Sequence, residues 1–319
     1  MKIGMITDSV GDLNFDEMLA LAARLGLDTL EFACGNWSSA PHLNLTELLS
    51  SEPKRREFRR RLSDHGIEIS ALNCSGNPLY PGDEGKRHDT VTRDTIKLAS
   101  LMDVDRVVLM SGCPGAPGDM HPNWITVDWP LEVRETLRWQ WEEVLVPYWH
   151  DLVAYSNGLG IRKLCLELHG QQNVYNVRTL MKLRAAVGDT VGANYDPSHL
   201  MWMGADPIAA IRALGPTIFH VHAKDTRIDQ TLAGLNSRIE TIPGDRFQER
   251  AWNYVTLGYG HGEQWWAEFV ATLAAVGYDG VLSIEHEDFM LLPIEGMEKT
   301  VALLDRIVIN RPKRRSRRR

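Results

Sequence analysis

One stretch of the chain reads Leu164-Cys165-Leu166-Glu167-Leu168-His169, in which every second side chain is a leucine. Because successive side chains of a β-strand point to opposite faces, one face of this strand is apolar and the other ends in Glu167 and His169. Three later runs share the pattern: Gly192-Ala193-Asn194-Tyr195-Asp196-Pro197-Ser198-His199, Ile218-Phe219-His220-Val221-His222-Ala223-Lys224-Asp225 and Val281-Leu282-Ser283-Ile284-Glu285-His286-Glu287. In chain order the runs offer a glutamate, an aspartate, a histidine and a glutamate. Four neighbouring strands of this kind predict a cation site at one end of a parallel barrel.

Strand-like and helix-like segments alternate along the rest of the chain. Further apolar strands are predicted at 2–6, 28–32, 67–72 and 106–110. Helical spacing of apolar residues, with proline and glycine as start and stop signals, predicts helices at 15–25, 53–65, 85–102, 134–157, 177–187, 207–214 and 293–309. The long helix at 134–157 is expected to kink at Pro147.

Eight strands alternating with helices have the number and length typical of an α/β fold, the (β/α)8 TIM barrel. We predict a single domain over residues 1–310. A doubly wound sheet is the main alternative, but Asp8-Ser9-Val10-Gly11-Asp12 after the first strand lacks the glycine-rich fingerprint of that fold.

The spacing of the candidate ligands predicts where the barrel carries extra chain. From Glu167 to Asp196 is 29 residues, and from Asp196 to His222 is 26, each about one βα unit. The next interval, from His222 to Glu285, is 63 residues, so an insertion is expected near 228–266, after strand seven. A second insertion is expected at 113–133, after strand four. Both would lie on the face where TIM-barrel active sites are built.

Composition narrows the class of protein. The 319 residues are 44% hydrophobic, and there is no uncharged apolar run long enough to span a membrane. The first residues predict a strand rather than a signal peptide, and the four cysteines are widely spaced. We therefore expect a cytoplasmic protein with free thiols.

Charge is distributed unevenly. Residues 311–319 hold seven of the 35 basic residues, which leaves 28 basic and 42 acidic residues in the remainder. An acidic body argues against a nucleic-acid partner. The basic tail could bind polyanions or a membrane surface, but a disordered end is the preferred interpretation.

The chain resembles the sugar isomerase/epimerase superfamily of xylose-isomerase-like barrels from Ile3 to about Leu304. The resemblance rests on Asp196-Pro197-Ser198-His199, His222-Ala223-Lys224-Asp225 and Ser283-Ile284-Glu285-His286-Glu287. The superfamily includes ketose 3-epimerases, inosose dehydratases, 3-keto-glycoside lyases and apurinic-site endonucleases. The endonuclease branch is disfavoured, because strands three and four lack its extra histidines and no Asp-x-His follows His222.

The resemblance implies that Glu167, Asp196, His222 and Glu285 hold one divalent cation. Manganese is expected first, with cobalt, magnesium or zinc as alternatives. From the residues alone, His220 is an alternative to His222, although a core role suits it better. The resemblance also implies that His199 and Arg227 bind substrate.

Two further polar residues have open roles. Lys224 either binds substrate or closes the loop in which it lies. Glu31, at the end of strand two, is expected either to contact substrate or to form a structural ion pair.

A divalent ion in such a site polarises a substrate carbonyl, which stabilises the enediolate formed when the neighbouring proton leaves. Glu167 and Glu285 are the expected catalytic pair of an isomerase or epimerase acting on a keto-sugar. His169, one pleat beyond Glu167, is an alternative base. A related branch with a histidine in that place cleaves 3-keto-glycosides by β-elimination, some of them C-glycosides, with a small partner subunit. A lyase of that kind, or an inosose dehydratase, is therefore the alternative function.

Ten tryptophans are many for this length, and most of them lie in or near the two expected insertions. Tryptophan faces stack on sugar or aglycone rings, but they also pack cores and oligomer interfaces. The expected partners are a small sugar or glycoside substrate and other copies of the chain in a homo-oligomer.

Overall fold

The computed structural model describes residues 1–309, so the basic tail at 311–319 lies outside the described residues. The strands are, in chain order, β1 (Lys2–Ile6), β2 (Thr29–Ala33), β3 (Glu68–Asn73), β4 (Arg106–Leu109), β5 (Lys163–Glu167), β6 (Val191–Tyr195), β7 (Ile218–Ala223), β8 (Asp225–Ile228), β9 (Trp252–Val255) and β10 (Val281–Ile284). The helices are, in chain order, α1 (Phe15–Leu25), α2 (Leu45–Ser50), α3 (Glu52–Asp64), α4 (Asp83–Leu101), α5 (Leu131–Trp139), α6 (Val146–Gly158), α7 (Val177–Val187), α8 (Pro197–Met203), α9 (Pro207–Leu214), α10 (Gln230–Asn236), α11 (Glu263–Ala275) and α12 (Pro293–Ile307). None of the helices within residues 1–309 is long and apolar enough to cross a membrane.

Eight parallel strands close into a barrel in the order β1-β10-β7-β6-β5-β4-β3-β2. The predicted (β/α)8 TIM barrel is therefore confirmed. Strands β8 and β9 form a separate antiparallel pair in the segment that follows β7. This segment and the one between β4 and α5 are the two expected insertions, and their status as insertions stays a prediction.

Local signals explain why several helices begin and end where the sequence indicates. Asn14 caps α1 by accepting hydrogen bonds from backbone N–H groups, and Glu17 completes a capping box. Gly26 ends the same helix with φ at 79°, a left-handed conformation that glycine adopts without strain. Asn176 caps α7 in a similar way. Helices α1, α7 and α9 have the bounds that the sequence predicts.

The predicted long helix at 134–157 differs from the structure. It begins earlier, at Leu131, and a π-helical turn at Gln140–Leu145 separates α5 from α6 just before Pro147. Proline lacks the N–H that a regular helix needs, and π turns accommodate such a defect. The turn buries Gln140, whose amide donates to the backbone carbonyls of Pro114, Gly115 and Asn123. The irregular turn therefore anchors the segment after β4.

The barrel interior is layered. Ala71, Val108 and Cys165 form a small buried apolar cluster inside it. A second set of side chains that alternation places on the inner face is polar and wholly or almost wholly buried: Glu31, Asn73, Glu167, Asn194, His220, His222 and Ser283. The larger core includes Trp149, Trp266 and Phe269 from the surrounding helices. Packing is thus the role of at least those two tryptophans.

Candidate metal centre and catalytic cavity

Four side chains converge at the carboxyl ends of the barrel strands. Glu167 ends β5, Asp196 follows β6, His222 lies in β7 and Glu285 follows β10. One ligand atom from each residue lies within 4.8 Å of the others. The structure brings together all four residues that the sequence predicts as metal ligands.

Strand pairing explains this convergence. Glu167 is in register with Asn194, and Ser283 is in register with His222. A register shift between Ala193 and Asn194 then sets Asn194 opposite His220. The carboxyl ends of β5, β6, β7 and β10 therefore meet around one point.

The chemistry of the donor set fits a divalent cation. Asp196 caps α8 through Oδ1, which accepts a 2.8 Å hydrogen bond from the Ser198 N–H. Asp196 Oδ2 and Glu285 Oε2 are buried and accept no well-aligned hydrogen bond from any residue in the described range. Three carboxylates and one imidazole suit a hard or borderline divalent ion.

The orientation of His222 agrees with this assignment. Its Nε2 lies 3.1 Å from each carboxylate oxygen of Glu31, so Nδ1 is the nitrogen that faces the cluster. Nδ1 is 2.9 Å from Glu285 Oε2 and 3.4 Å from Glu167 Oε2. Burial lowers the pKa of His222, but Glu31 and Glu285 outweigh burial and hold it well above its usual value. Positive charge is thus strongly favoured at this point.

His199 lies against the ligands. Its Nε2 is 2.9 Å from Glu167 Oε1 and 3.3 Å from Asp196 Oδ2. The Tyr254 hydroxyl lies 2.9 Å from Nδ1 of the same ring. Burial lowers the pKa of His199, but Asp196 and Glu167 outweigh it and raise the pKa to about 9. His199 therefore orients two candidate ligands, and its predicted contact with substrate stays a prediction.

His169 forms part of the cavity wall beside the cluster. Its Nδ1–H donates to the Gly170 carbonyl oxygen, so Nε2 carries the free lone pair. The His169 ring lies 4.1 Å from the His199 ring, centroid to centroid. Burial and the neighbouring His199 lower the pKa of His169 to about 3. The side chain is thus a neutral acceptor at the edge of the site.

Lys224 is almost fully buried and also lines the cavity. Its Nζ lies 3.3 Å from Glu285 Oε1, 2.9 Å from Glu287 Oε2 and 4.1 Å from the Tyr254 ring centroid. The lysine therefore contacts the Glu285 oxygen other than the one nearest His222. Substrate binding by Lys224 stays a prediction.

The other two predicted substrate contacts lie elsewhere. Arg227 is exposed on β8, outside the cavity lining found in residues 1–309. Glu31 is fully buried below His222, in contact with His220, His222, Asn73 and Ser283. For Glu31 the geometry favours the structural ion pair over a substrate contact.

A cavity of about 260 Å³ opens onto the cluster. Its wall includes residues that sequence reasoning did not single out: Asp8, Trp37, Ser38, Asn73 and Ser75. Burial raises the pKa of Asp8, which is accessible at the mouth. Asn73 is the last residue of β3 and the others come from the loops after β1, β2 and β3, at the end of the barrel where a TIM barrel places its substrate contacts. That topological rule is the signal that could have identified them.

Comparison with known proteins places this chain in a family. Residues 19–307 match the model of the xylose isomerase-like TIM barrel family. The chain is 49% identical to the uncharacterized protein YfiH of Bacillus subtilis over 311 residues, which cover 97% of this chain and 99% of YfiH.

Three solved structures share the fold. The probable 3-DHS dehydratase AsbF of Bacillus anthracis has a TM-score of 0.67 and 16% identity over 96% of this chain and 99% of that chain. The IolI protein with a bound zinc atom has a TM-score of 0.66 and 18% identity over 97% and 98%. A D-tagatose 3-epimerase-like protein has a TM-score of 0.63 and 18% identity over 96% and 98%. The chain belongs to the xylose isomerase-like TIM barrel family.

Proposed function

We propose that this chain is a divalent-metal-dependent isomerase or epimerase that acts on a keto-sugar or cyclitol. The observation that carries the proposal is the convergence of Glu167, Asp196, His222 and Glu285 within 4.8 Å, at a point where Glu167, His222 and Glu285 line the cavity. The zinc atom in IolI and the D-tagatose 3-epimerase-like neighbour support it. When bound, the ion supplies Lewis-acid stabilisation of negative charge on the substrate carbonyl oxygen.

The proposed reaction begins with loss of the proton next to the carbonyl, which gives an enediolate. Both Glu167 oxygens already have donors: His199 Nε2 lies 2.9 Å from Oε1, and Asn194 Nδ2 lies 3.0 Å from Oε2. Nε2 of His169 has no hydrogen-bond partner among residues 1–309 and belongs to the cavity wall. We therefore favour His169 over Glu167 as the group that takes the proton.

Epimerisation needs a second group on the other face of the substrate carbon. Strands β5 and β10 are separated by β6 and β7 in the barrel, so His169 and Glu285 approach the cavity from different sides. Glu285, which contacts His222 and Lys224, is the proposed donor on that side: it takes a proton from solvent in the cavity and delivers it to the carbon, while His169 releases the abstracted proton to solvent.

A lyase is the second candidate, and the position of His169 is the observation that favours it. Proton removal by a single base, followed by loss of a β-substituent, needs no return of the proton to the opposite face. The fold neighbour AsbF is a probable dehydratase, which also supports this candidate. Both candidates share the first step and differ in the product.

A product assay separates the two. The purified protein is stripped with a chelator, reloaded with manganese and incubated with free ketoses, inososes and 3-keto-glucosides. Under the leading proposal, chromatography finds an isomer or epimer of equal mass, and the chelated protein forms none. Release of water or an aglycone would instead establish the lyase, and turnover by fully chelated protein would contradict both candidates.

Metal binding is expected to stabilise the fold, because the unfolded chain has no site that holds three carboxylates and an imidazole around one cation. At a concentration about 100 times the dissociation constant, an ion that binds only the native state adds about 2.7 kcal/mol to the free energy of unfolding. Thermal unfolding with and without manganese measures this gain. Asp196→Asn should remove most of it, whereas Glu295→Gln, an exposed change on α12, should retain it. Equal gains in the two variants would contradict the ligand assignment.

A further inference from the structure

We propose that Glu31 is a positioning residue, which fixes the proton of His222 on Nε2 and thereby aims the Nδ1 lone pair at the bound cation. The inference rests on the proposed metal site and assigns a role to a residue that lies beneath it. It replaces substrate contact, which the position of Glu31 does not favour.

Glu31 receives every hydrogen bond that its carboxylate can readily accept. Asn73 Nδ2 lies 2.8 Å from Oε1, while His220 Nε2 and Ser283 Oγ each lie 2.8 Å from Oε2. His222 Nε2 is 3.1 Å from both oxygens. The Glu31 side chain has no exposed surface. An ionised carboxylate only accepts, so each nitrogen that faces it has to carry a proton.

The direction of these bonds selects one tautomer of His222. Because the Nε2–H group of His222 donates to Glu31, Nδ1 carries the lone pair and is the ligand atom. Side-chain donors from Asn73, His220, His222 and Ser283 converge on Glu31, in keeping with an ionised carboxylate. A carboxylate behind a ligating imidazole also increases the basicity of that imidazole.

Glutamine at position 31 would keep the size of the side chain but would no longer accept hydrogen bonds on two oxygens. A Gln amide has one oxygen and one NH2 group, and the NH2 group would face an N–H or O–H donor from Asn73, His220, His222 or Ser283. Two hydrogen-bond donors would then face each other at a buried position, and leaving them unpaired lowers the free energy of unfolding. Rotation of the His222 ring or a change of its tautomer would relieve the conflict, and either would disturb Nδ1.

The first experiment measures zinc affinity by isothermal titration calorimetry. Glu31→Gln is expected to bind zinc about 10–100-fold more weakly than the wild type. Glu68→Gln, the same change at an exposed position at the other end of the barrel, is the matched control and should bind as the wild type does. Thermal unfolding of each metal-free variant shows whether the loss reflects the site rather than the fold.

The second experiment reads the tautomer directly and needs no variant. In zinc-loaded protein with 15N-labelled histidine, NMR should show His222 protonated on Nε2 and coordinating through Nδ1. Coordination through Nε2, or equal zinc affinities for wild type and Glu31→Gln, would overturn the positioning role and leave the proposed function intact. A wild type that binds no divalent metal would overturn the proposed metal site and this inference together.

Discussion

Replacing Glu285 with glutamine is expected to reduce turnover by at least about 10²–10⁴-fold, the usual contribution of a general acid–base group. Glutamine keeps the size of the side chain but can neither return a proton nor offer a charged oxygen to the cation. Glu285 lies 2.9 Å from His222 and 3.3 Å from Lys224, so the change acts at the centre of the site. Steady-state kinetics at saturating manganese measures the effect.

Two controls distinguish a loss of catalysis in Glu285→Gln from a loss of metal or of the folded structure. Metal content and thermal unfolding are measured on the same Glu285→Gln sample, so that an empty or unfolded site is recognised. Glu295→Gln repeats the substitution at an exposed position on α12, where Glu295 pairs with Lys299 at 3.5 Å. Turnover near the wild-type rate in a folded, metal-loaded Glu285→Gln protein would disprove the proposed role of this residue.

Replacing His169 with glutamine is expected to slow removal of the substrate proton by about 10²–10⁴-fold. The reason is that Nε2 of His169 is the free acceptor at the cavity wall, whereas both Glu167 oxygens have donors. Metal affinity should change little, because His169 is outside the four-residue ligand set. Exchange of the proton with solvent deuterium, followed by mass spectrometry, measures this step apart from product release.

His150→Gln is the matched control, since His150 is exposed on α6. If His169→Gln exchanges the proton as fast as His150→Gln, the base is not His169. Glu167 would then be the remaining candidate, as in the two-glutamate mechanism that the sequence also allows. The comparison therefore decides between the two assignments of the base.

Much of the fold and the cluster of candidate metal ligands could be predicted from the sequence, because side chains alternate between the two faces of a strand. A side chain two positions along a strand lies on the same face, so Glu167, His222 and Glu285 could be assigned to the interior of the barrel without coordinates. Closure of the eight strands then brings their carboxyl ends together. Helix α1 was predictable to the residue, because Asn14 and Gly26 are strong local signals.

Other features depend on distant contacts that the sequence does not reveal. Tyr254 reaches His199 only because β9 pairs with β8 in a segment where no regular spacing guides prediction. The role of Glu31 depends on its neighbours across the barrel, His220, His222 and Ser283, which follow it by about 190 residues or more. The π turn before Pro147 follows from the contacts of Gln140 with the segment after β4. In each case the contact is set by tertiary packing, which the local sequence pattern does not determine.

Solvent deuterium exchange in manganese-loaded protein shows whether the bound metal assists loss of the proton next to the substrate carbonyl. The protein is incubated in deuterated water with a ketose, an inosose and a 3-keto-glucoside, the metal is removed, and the compounds are analysed by NMR and mass spectrometry. We expect deuterium at the carbon next to the carbonyl in at least one compound, and loss of that exchange after chelation. Absence of exchange in every compound, with manganese shown to be bound, would contradict this expectation.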